Sequence, residues 1–184
     1  MKVERWCGTR VRERAGDLAA LLTDTVASGA SVGFLAPLGH AEAVAWWQER
    51  AADAAAGLLA VWAAVDPAGR VTGTVGLVFP GKPNSRHRAE LVKLMVHRRA
   101  RGQGLGRRLL VTAERAAAAD GRTLLHLDTE TGSPAEHLYR SAGWTAAGAI
   151  PDYAARPTGE LRPTTLYYKR LPALPEERPA AAAG

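Results

Sequence analysis

The sequence predicts an α/β (α+β) domain built on one mixed sheet, and three observations lead there. Short apolar runs rich in Val and Leu alternate with longer runs of helical spacing along the 184 residues. Their order is strand, helix, helix, three strands, helix, strand, helix and two strands, as expected of helices packed on the faces of a single sheet. At one place in that order a strand, Arg88 to Val96, feeds a glycine-rich turn and then a helix.

Val3 to Val11 alternates weakly and is predicted as the first strand. Arg14 to Ser28 places Leu18, Leu21, Leu22 and Val26 at helical spacing. Gly29 to Gly39 is broken by Gly and Pro and reads as a loop. His40 to Ala56 reads as a second helix carrying Val44, Trp47 and Ala51. Leu58 to Val65 and Val71 to Phe79 flank Asp66-Pro67-Ala68-Gly69, the signature of a hairpin. Arg88 to Val96 is a buried strand by composition, with Lys93 as an interruption expected to be paired or to face an edge. Gly104 to Ala119 is a helix with Leu105, Leu109, Thr112 and Ala116 on one face, stopped by Asp120-Gly121. Leu124 to Asp128 is a short strand, and Pro134 to Ala142 a short helix opened by a first-turn proline. Trp144 to Ile150 and Thr164 to Lys169 are the last strands, joined by a loop that contains Tyr153.

The length suits one domain, residues 1–171, and the Pro- and Ala-rich tail 172–184 is expected to be disordered. The single cysteine, Cys7, excludes an internal disulfide and a Cys-rich zinc cluster. Met1 to Trp6 lacks the apolar run of a secretory signal, and no stretch reaches the roughly 18 apolar residues of a membrane span. A cytoplasmic protein is the resulting expectation. His87, His97, His126 and His137 show no metal-ligand spacing, so no metal site is expected, and His126 reads as a core residue. Trp46, Trp47 and Trp62 read as core or as a pocket lining. The net charge of +6 suggests an anionic ligand, and Arg98, Arg99, Arg101, Arg107 and Arg108 cluster around one turn.

That turn is Arg101-Gly102-Gln103-Gly104-Leu105-Gly106-Arg107. Its glycines permit left-handed backbone and close approach of main-chain N–H groups to a ligand. The helix that follows offers first-turn N–H groups without internal partners and a positive dipole end, a natural place for phosphate. The Walker pattern and the dinucleotide fingerprint both require glycine at position 107, where Arg107 stands. Arg101 and Arg107 are expected to add charge-assisted bonds to the anion.

The Arg-x-x-Gly-x-Gly spacing, directly after a strand ending Leu94-Met95-Val96, resembles the pyrophosphate motif of the GNAT superfamily, the Gcn5-related N-acetyltransferases. Ala135 to Trp144 is similar to that family's A-x-x-x-Y-x-x-x-G-F ending, with Trp144 in place of Phe. Three stretches resemble the tabtoxin-resistance acetyltransferase in particular: Leu91 to His97, His126 to Ser133 and Arg162 to Lys169. One departure is Gly132-Ser133, where many members carry asparagine.

The resemblance implies a mostly antiparallel sheet of six or seven strands with about four helices and a splayed central strand pair. It implies acetyl-CoA as co-substrate and direct attack of a primary amine on its thioester. It places the pantetheine and acetyl group against the main chain of Met95 and Val96, and the pyrophosphate on Arg101, Gly102, Gln103, Gly104, Leu105, Gly106 and Arg107. It puts Tyr139 at the general-acid position, although a tyrosine on a short amphipathic helix also reads as core. Glu90 and Asp128 are the alternative bases, and both read equally as solvated strand-end charges. Asp128, Glu130 and Tyr153 are candidate contacts to the amine. The implied acceptor is a small-molecule amine, with antibiotic or toxin amines in view, and a homodimer is in keeping with the family. Competing readings are a protein or peptide acetyltransferase, a silent acyl-CoA sensor and a nucleic-acid module. The last lacks an aromatic stacking run and a helix-turn-helix signature.

Overall fold

The turn at Asp66 forms as its chemistry requires: the Asp66 carboxylate accepts from the N–H groups of Ala68 and Arg70, each at 2.9 Å. In the computed structural model, which describes residues 1–172, this turn joins β2 (Leu59–Val65) to β3 (Val71–Val78). The other strands are β1 (Lys2–Trp6), β4 (Arg88–Val96), β5 (Leu124–Glu130), β6 (Thr145–Ala155) and β7 (Leu161–Arg170). The helices are α1 (Gly8–Glu13), α2 (Ala15–Ala27), α3 (His40–Ala55), α4 (Leu105–Ala119) and α5 (Pro134–Ser141). The strands form one sheet in the order β1-β2-β3-β4-β5-β7-β6. Every neighbour pair is antiparallel except β4–β5. The tail expected from Pro172 onward lies, apart from Pro172 itself, outside the described residues.

The expected first strand, Val3 to Val11, is corrected by the structure. Its first part is β1, but the chain then turns into α1. Gly8 shows the cause, because a Cβ there would lie 2.6 Å from the Ala51 carbonyl oxygen and 2.8 Å from the Ala55 Cβ. Packing of α1 on α3 decides the segment, and its weak alternation is compatible with either state. This adds a fifth helix to the four expected.

The sheet is covered on both faces. On one, Leu105, Leu109, Leu110, Ala113 and Ala117 of α4 pack with Leu77, Leu91, Leu125, Leu127 and Tyr167. The buried stripe of α4 keeps Leu105 and Leu109 but runs on through Ala113 and Ala117, one residue round from the expected Thr112 and Ala116. Gly73 admits this contact, since a Cβ there would come 2.9 Å from Leu109 Cδ1. On the other face α1, α2 and α3 cover β1 to β4 through Leu18, Leu22, Trp47, Val61 and Met95. Residues 145–153 of β6, by contrast, are exposed throughout.

Candidate active site

The parallel pairing of β4 with β5 is short. Arg88, Ala89 and Glu90 face Leu124, Leu125 and His126, and there the ladder ends. β4 nevertheless runs on to Val96 and β5 to Glu130, so a gap opens between them. The cause lies on the other edge of β4. Thr74 faces Met95 while Gly76 faces Val92, so the single residue Val75 opposes both Lys93 and Leu94. Lys93 takes φ 50 and Thr74 Oγ1 donates to its carbonyl at 2.9 Å. Such a bulge bends its strand away from the partner it leaves.

The alternation of the ladder says which main-chain groups face the gap. His97 N–H donates to Thr72 O at 2.9 Å, so the bonded pairs are Thr72 with His97 and, two residues on, Thr74 with Met95. Val96, between them, turns its N–H and C=O away from β3. Of the two residues expected to present main chain to a ligand, Val96 turns its main chain toward the gap and Met95 pairs with β3. The Val96 carbonyl accepts from Arg101 Nε at 3.0 Å, which leaves its N–H on the open edge.

The glycine loop follows at once. Gly102 and Gly104 adopt φ 75 and 73, and no heavy atom lies within 4 Å of where a Cβ on either would stand. Gly104 caps α4 without a side-chain acceptor, and the first intrahelical bond, Arg108 N–H to Gly104 O, leaves the N–H groups of Leu105, Gly106 and Arg107 without helical partners. Gly106 allows α5 to approach, since a Cβ there would sit 3.3 Å from Leu138 Cδ2. The guanidinium groups of Arg101 and Arg107, expected at the anion, have protein partners in the structure. Arg101 is tied to Val96 O and Ser28 Oγ, and Arg107 to the Ser141 carbonyl and hydroxyl. They brace the cradle, whose anion-facing surface is main chain. A groove of about 790 Å³ lined by Gly104, Arg107, Arg108 and Arg115 opens beside it.

α5 brings Tyr139 to the gap. Ser133 accepts from Glu136 N–H, Glu136 accepts from Gly132 N–H at 2.7 Å, and Pro134 occupies the first turn. Gly132-Ser133 thus closes a capping motif where the family pattern carries asparagine. Glu136 also takes the Tyr167 hydroxyl at 2.8 Å and Arg140 at 3.1 Å, which fastens α5 to β7. Tyr139 is buried, and its hydroxyl makes no hydrogen bond among the described residues. Burial, with a smaller contribution from the nearby Asp128 carboxylate, raises its pKa above the ordinary tyrosine value.

Because Glu90 is level with His126, and side chains alternate along a strand, Glu90, His126 and Asp128 share one face at the head of the gap. Arg88 Nη1 lies 2.6 Å from His126 Nε2. A guanidinium can only donate, so Nε2 is the acceptor and the imidazole is neutral. Burial lowers the His126 pKa, Glu90 and Asp128 oppose that, and Arg88 adds to it. Glu130 is engaged elsewhere, with Arg156 Nη2 at 2.5 Å and Arg162 Nε at 3.8 Å. Tyr153 lies within β6 and not in a loop, on an irregular stretch beside Asp152 at φ 51, and is 52% exposed. Tyr153 is thus set apart from the gap, and Glu130, at the end of the gap-lining β5, has its carboxylate taken up by Arg156.

The Acetyltransferase (GNAT) family pattern matches residues 25–144. The chain belongs to the GNAT acetyltransferase family. Solved structures agree in fold. An N-acetyltransferase from Staphylococcus aureus Mu50 superposes with TM-score 0.75 at 18% identity, covering 94% of this chain and 100% of that one. A ribosomal-protein-alanine N-acetyltransferase from Brucella melitensis gives 0.71 at 23%, covering 93% and 100%. A phosphinothricin acetyltransferase from Sinorhizobium meliloti, solved in complex with AcCoA, gives 0.73 at 18%, covering 98% and 94%.

Within this GNAT fold the sequence missed three residues of the gap. Arg88 read as an ordinary strand residue and His126 as a core residue, and only the register sets His126 level with Glu90. Lys93 was expected to be paired or edge-facing, yet none of the ion pairs among the described residues includes it. A lysine within an apolar strand was the available signal. Trp47 and Trp62 are core, whereas Trp46 stands edge-on to Phe34 and 5.2 Å from Lys93 Nζ.

Proposed function

We propose that this chain transfers the acetyl group of acetyl-CoA to a primary amine of a small molecule, both bound together in the β4–β5 gap. The observation that carries this reading is the gap itself: a free β4 edge runs through Val96 into an open, uncapped glycine cradle, with Tyr139, Glu90 and Asp128 around it. These residues fit the coenzyme, because a cradle of main-chain N–H groups suits a pyrophosphate and an unpaired strand edge suits an amide-bearing arm. Bound there, acetyl-CoA supplies an acetyl thioester open to attack by a neutral amine.

The Val96 N–H offers a donor to the arm and the acyl carbonyl. An alkyl ammonium of pKa about 10 must shed a proton first, and Glu90 or Asp128 receives it, directly or through water. Tyr139, kept protonated by its raised pKa, donates to the departing sulfur. The resemblance to the tabtoxin-resistance enzyme and the phosphinothricin acetyltransferase with the same fold support a small-molecule acceptor. Incubating the protein with acetyl-CoA and a panel of small amines, amino acids and peptides, while following thiol release, tests the reading. Turnover confined to peptides overturns the small-molecule acceptor, and tight acetyl-CoA binding with no turnover on any amine indicates a sensor.

A further inference from the structure

Lys93 sits at the bulge that opens the gap, in a left-handed conformation better suited to glycine. Val92 before it and Met95 after it pack on the face covered by α2 and α3, and the lysine side chain goes to the same side. Its Nζ donates to the Val32 carbonyl at 2.7 Å and lies 5.5 Å from the Phe34 ring and 5.2 Å from the Trp46 ring. Of its three donors, one is thus used. The same face carries Glu90, His126 and Asp128. Arg50 lies beyond Trp46, with its guanidinium carbon 5.6 Å from that ring.

Burial lowers the Lys93 pKa, Asp128 and Glu90 raise it, and Arg50 lowers it again. The nearby carboxylates therefore feel this ammonium without contacting it. Arg50 is already paired with Asp53 at 3.1 Å, so a simple amine entering beside Glu90 and Asp128 would meet two carboxylates and the Lys93 ammonium. Its own charge would be repelled by Lys93, which would gain no direct ionic partner. An acceptor that carries an anion as well as an amine satisfies both sides at once.

We propose that Lys93 binds an anionic group of the acceptor, so that the substrate is an amino acid or a similar amino-carboxylate: its carboxylate at Lys93, its amine toward Glu90 and Asp128. This rests on the acetyl-transfer reading, and it makes Lys93 a specificity determinant. The competing role is a latch, with Lys93 holding only the Gly29–Gly39 loop through Val32.

The test uses L-methionine, L-phenylalanine and L-glutamine, each matched to its carboxamide and to its decarboxylated amine. Binding is read by calorimetry in the presence of CoA and turnover by thiol release, for the wild type, Lys93→Met and Lys93→Arg. In the wild type at least one acid is expected to bind about tenfold or more tightly than its carboxamide. Lys93→Met removes that preference through KM, weakening the acid at least about tenfold more than the carboxamide, and Lys93→Arg restores part of it. No preference for any acid in the wild type overturns the proposal. So does an equal loss for acid and carboxamide in Lys93→Met, which is the latch result. Preferential binding of an acid with no thiol release overturns the transfer reading and leaves the Lys93 assignment standing.

Discussion

The two sides of the β4–β5 gap are built from different materials. The side that fits the coenzyme is main chain: the Val96 N–H, the open turn through Gly102 and Gly104, and the unpaired first turn of α4. The side proposed for the acceptor is made of side chains: the charged Glu90, Asp128 and Lys93, and the neutral His126. A main-chain cradle depends on conformation and tolerates loss of the side chains around it. A side-chain surface keeps its shape when one member is replaced, but loses whatever that member recognised.

Tyr139 is the residue proposed to protonate the departing sulfur, and its replacement should have the largest effect. Tyr139→Phe is expected to lower kcat by about 100-fold or more while acetyl-CoA binding stays within about threefold. Steady-state thiol release and calorimetry check the pair, and an unchanged kcat refutes the acid role. Next comes the cradle. Gly104→Val puts a β-branched side chain at φ 73 and should weaken acetyl-CoA by about tenfold, read by calorimetry, with an unchanged circular dichroism spectrum.

A third prediction concerns the scaffold that holds Tyr139. Burial opposes the charge on Glu136, but the Gly132 N–H, the Tyr167 hydroxyl and Arg140 outweigh it and hold the carboxyl below its usual 4.5. With the folded pKa below the unfolded one, the contribution is complete above pH about 4.5 and is lost as pH falls through the folded value. Glu136→Gln should therefore cost about 1 kcal/mol near neutrality and converge with the wild type in acid, as thermal melts across pH will show. The smallest effect is expected at Arg101. Its guanidinium braces Val96 and Ser28, so Arg101→Met should change acetyl-CoA affinity by no more than about threefold. A larger loss would mean that this side chain swings onto the ligand, and would erase the contrast between the two sides.

The coenzyme side was the more legible in sequence for the same physical reason. Glycines at fixed spacing are needed wherever backbone must turn left-handed and stay uncovered, so Gly102, Gly104 and Gly106 announced the cradle. The strand from Arg88 to Val96 and the placement of Tyr139 on a short helix were equally readable. The arginines were not, because a long side chain can reach a ligand or a neighbouring carbonyl from the same position. The surroundings of Glu130 and Tyr153 were no more legible. Glu130 found Arg156 in the turn after β6 and Arg162 on β7, and Tyr153 lies in a strand longer than its Ala- and Gly-rich sequence suggested.

The sequence alone determined the order of elements from Arg14 onward, the glycine cradle and the strand that feeds it, because these depend on local propensity and spacing. The tertiary structure decided what depends on pairing between distant segments. It folded Gly8–Glu13 as a helix against Ala51 and Ala55, and it ended the β4–β5 ladder after Glu90 and His126. It assigned Val96 rather than Met95 to the gap by the alternation of the β3 ladder. It also brought Phe34 and Trp46 to Lys93, which sits 59 residues after Phe34 in the chain and beside it in space.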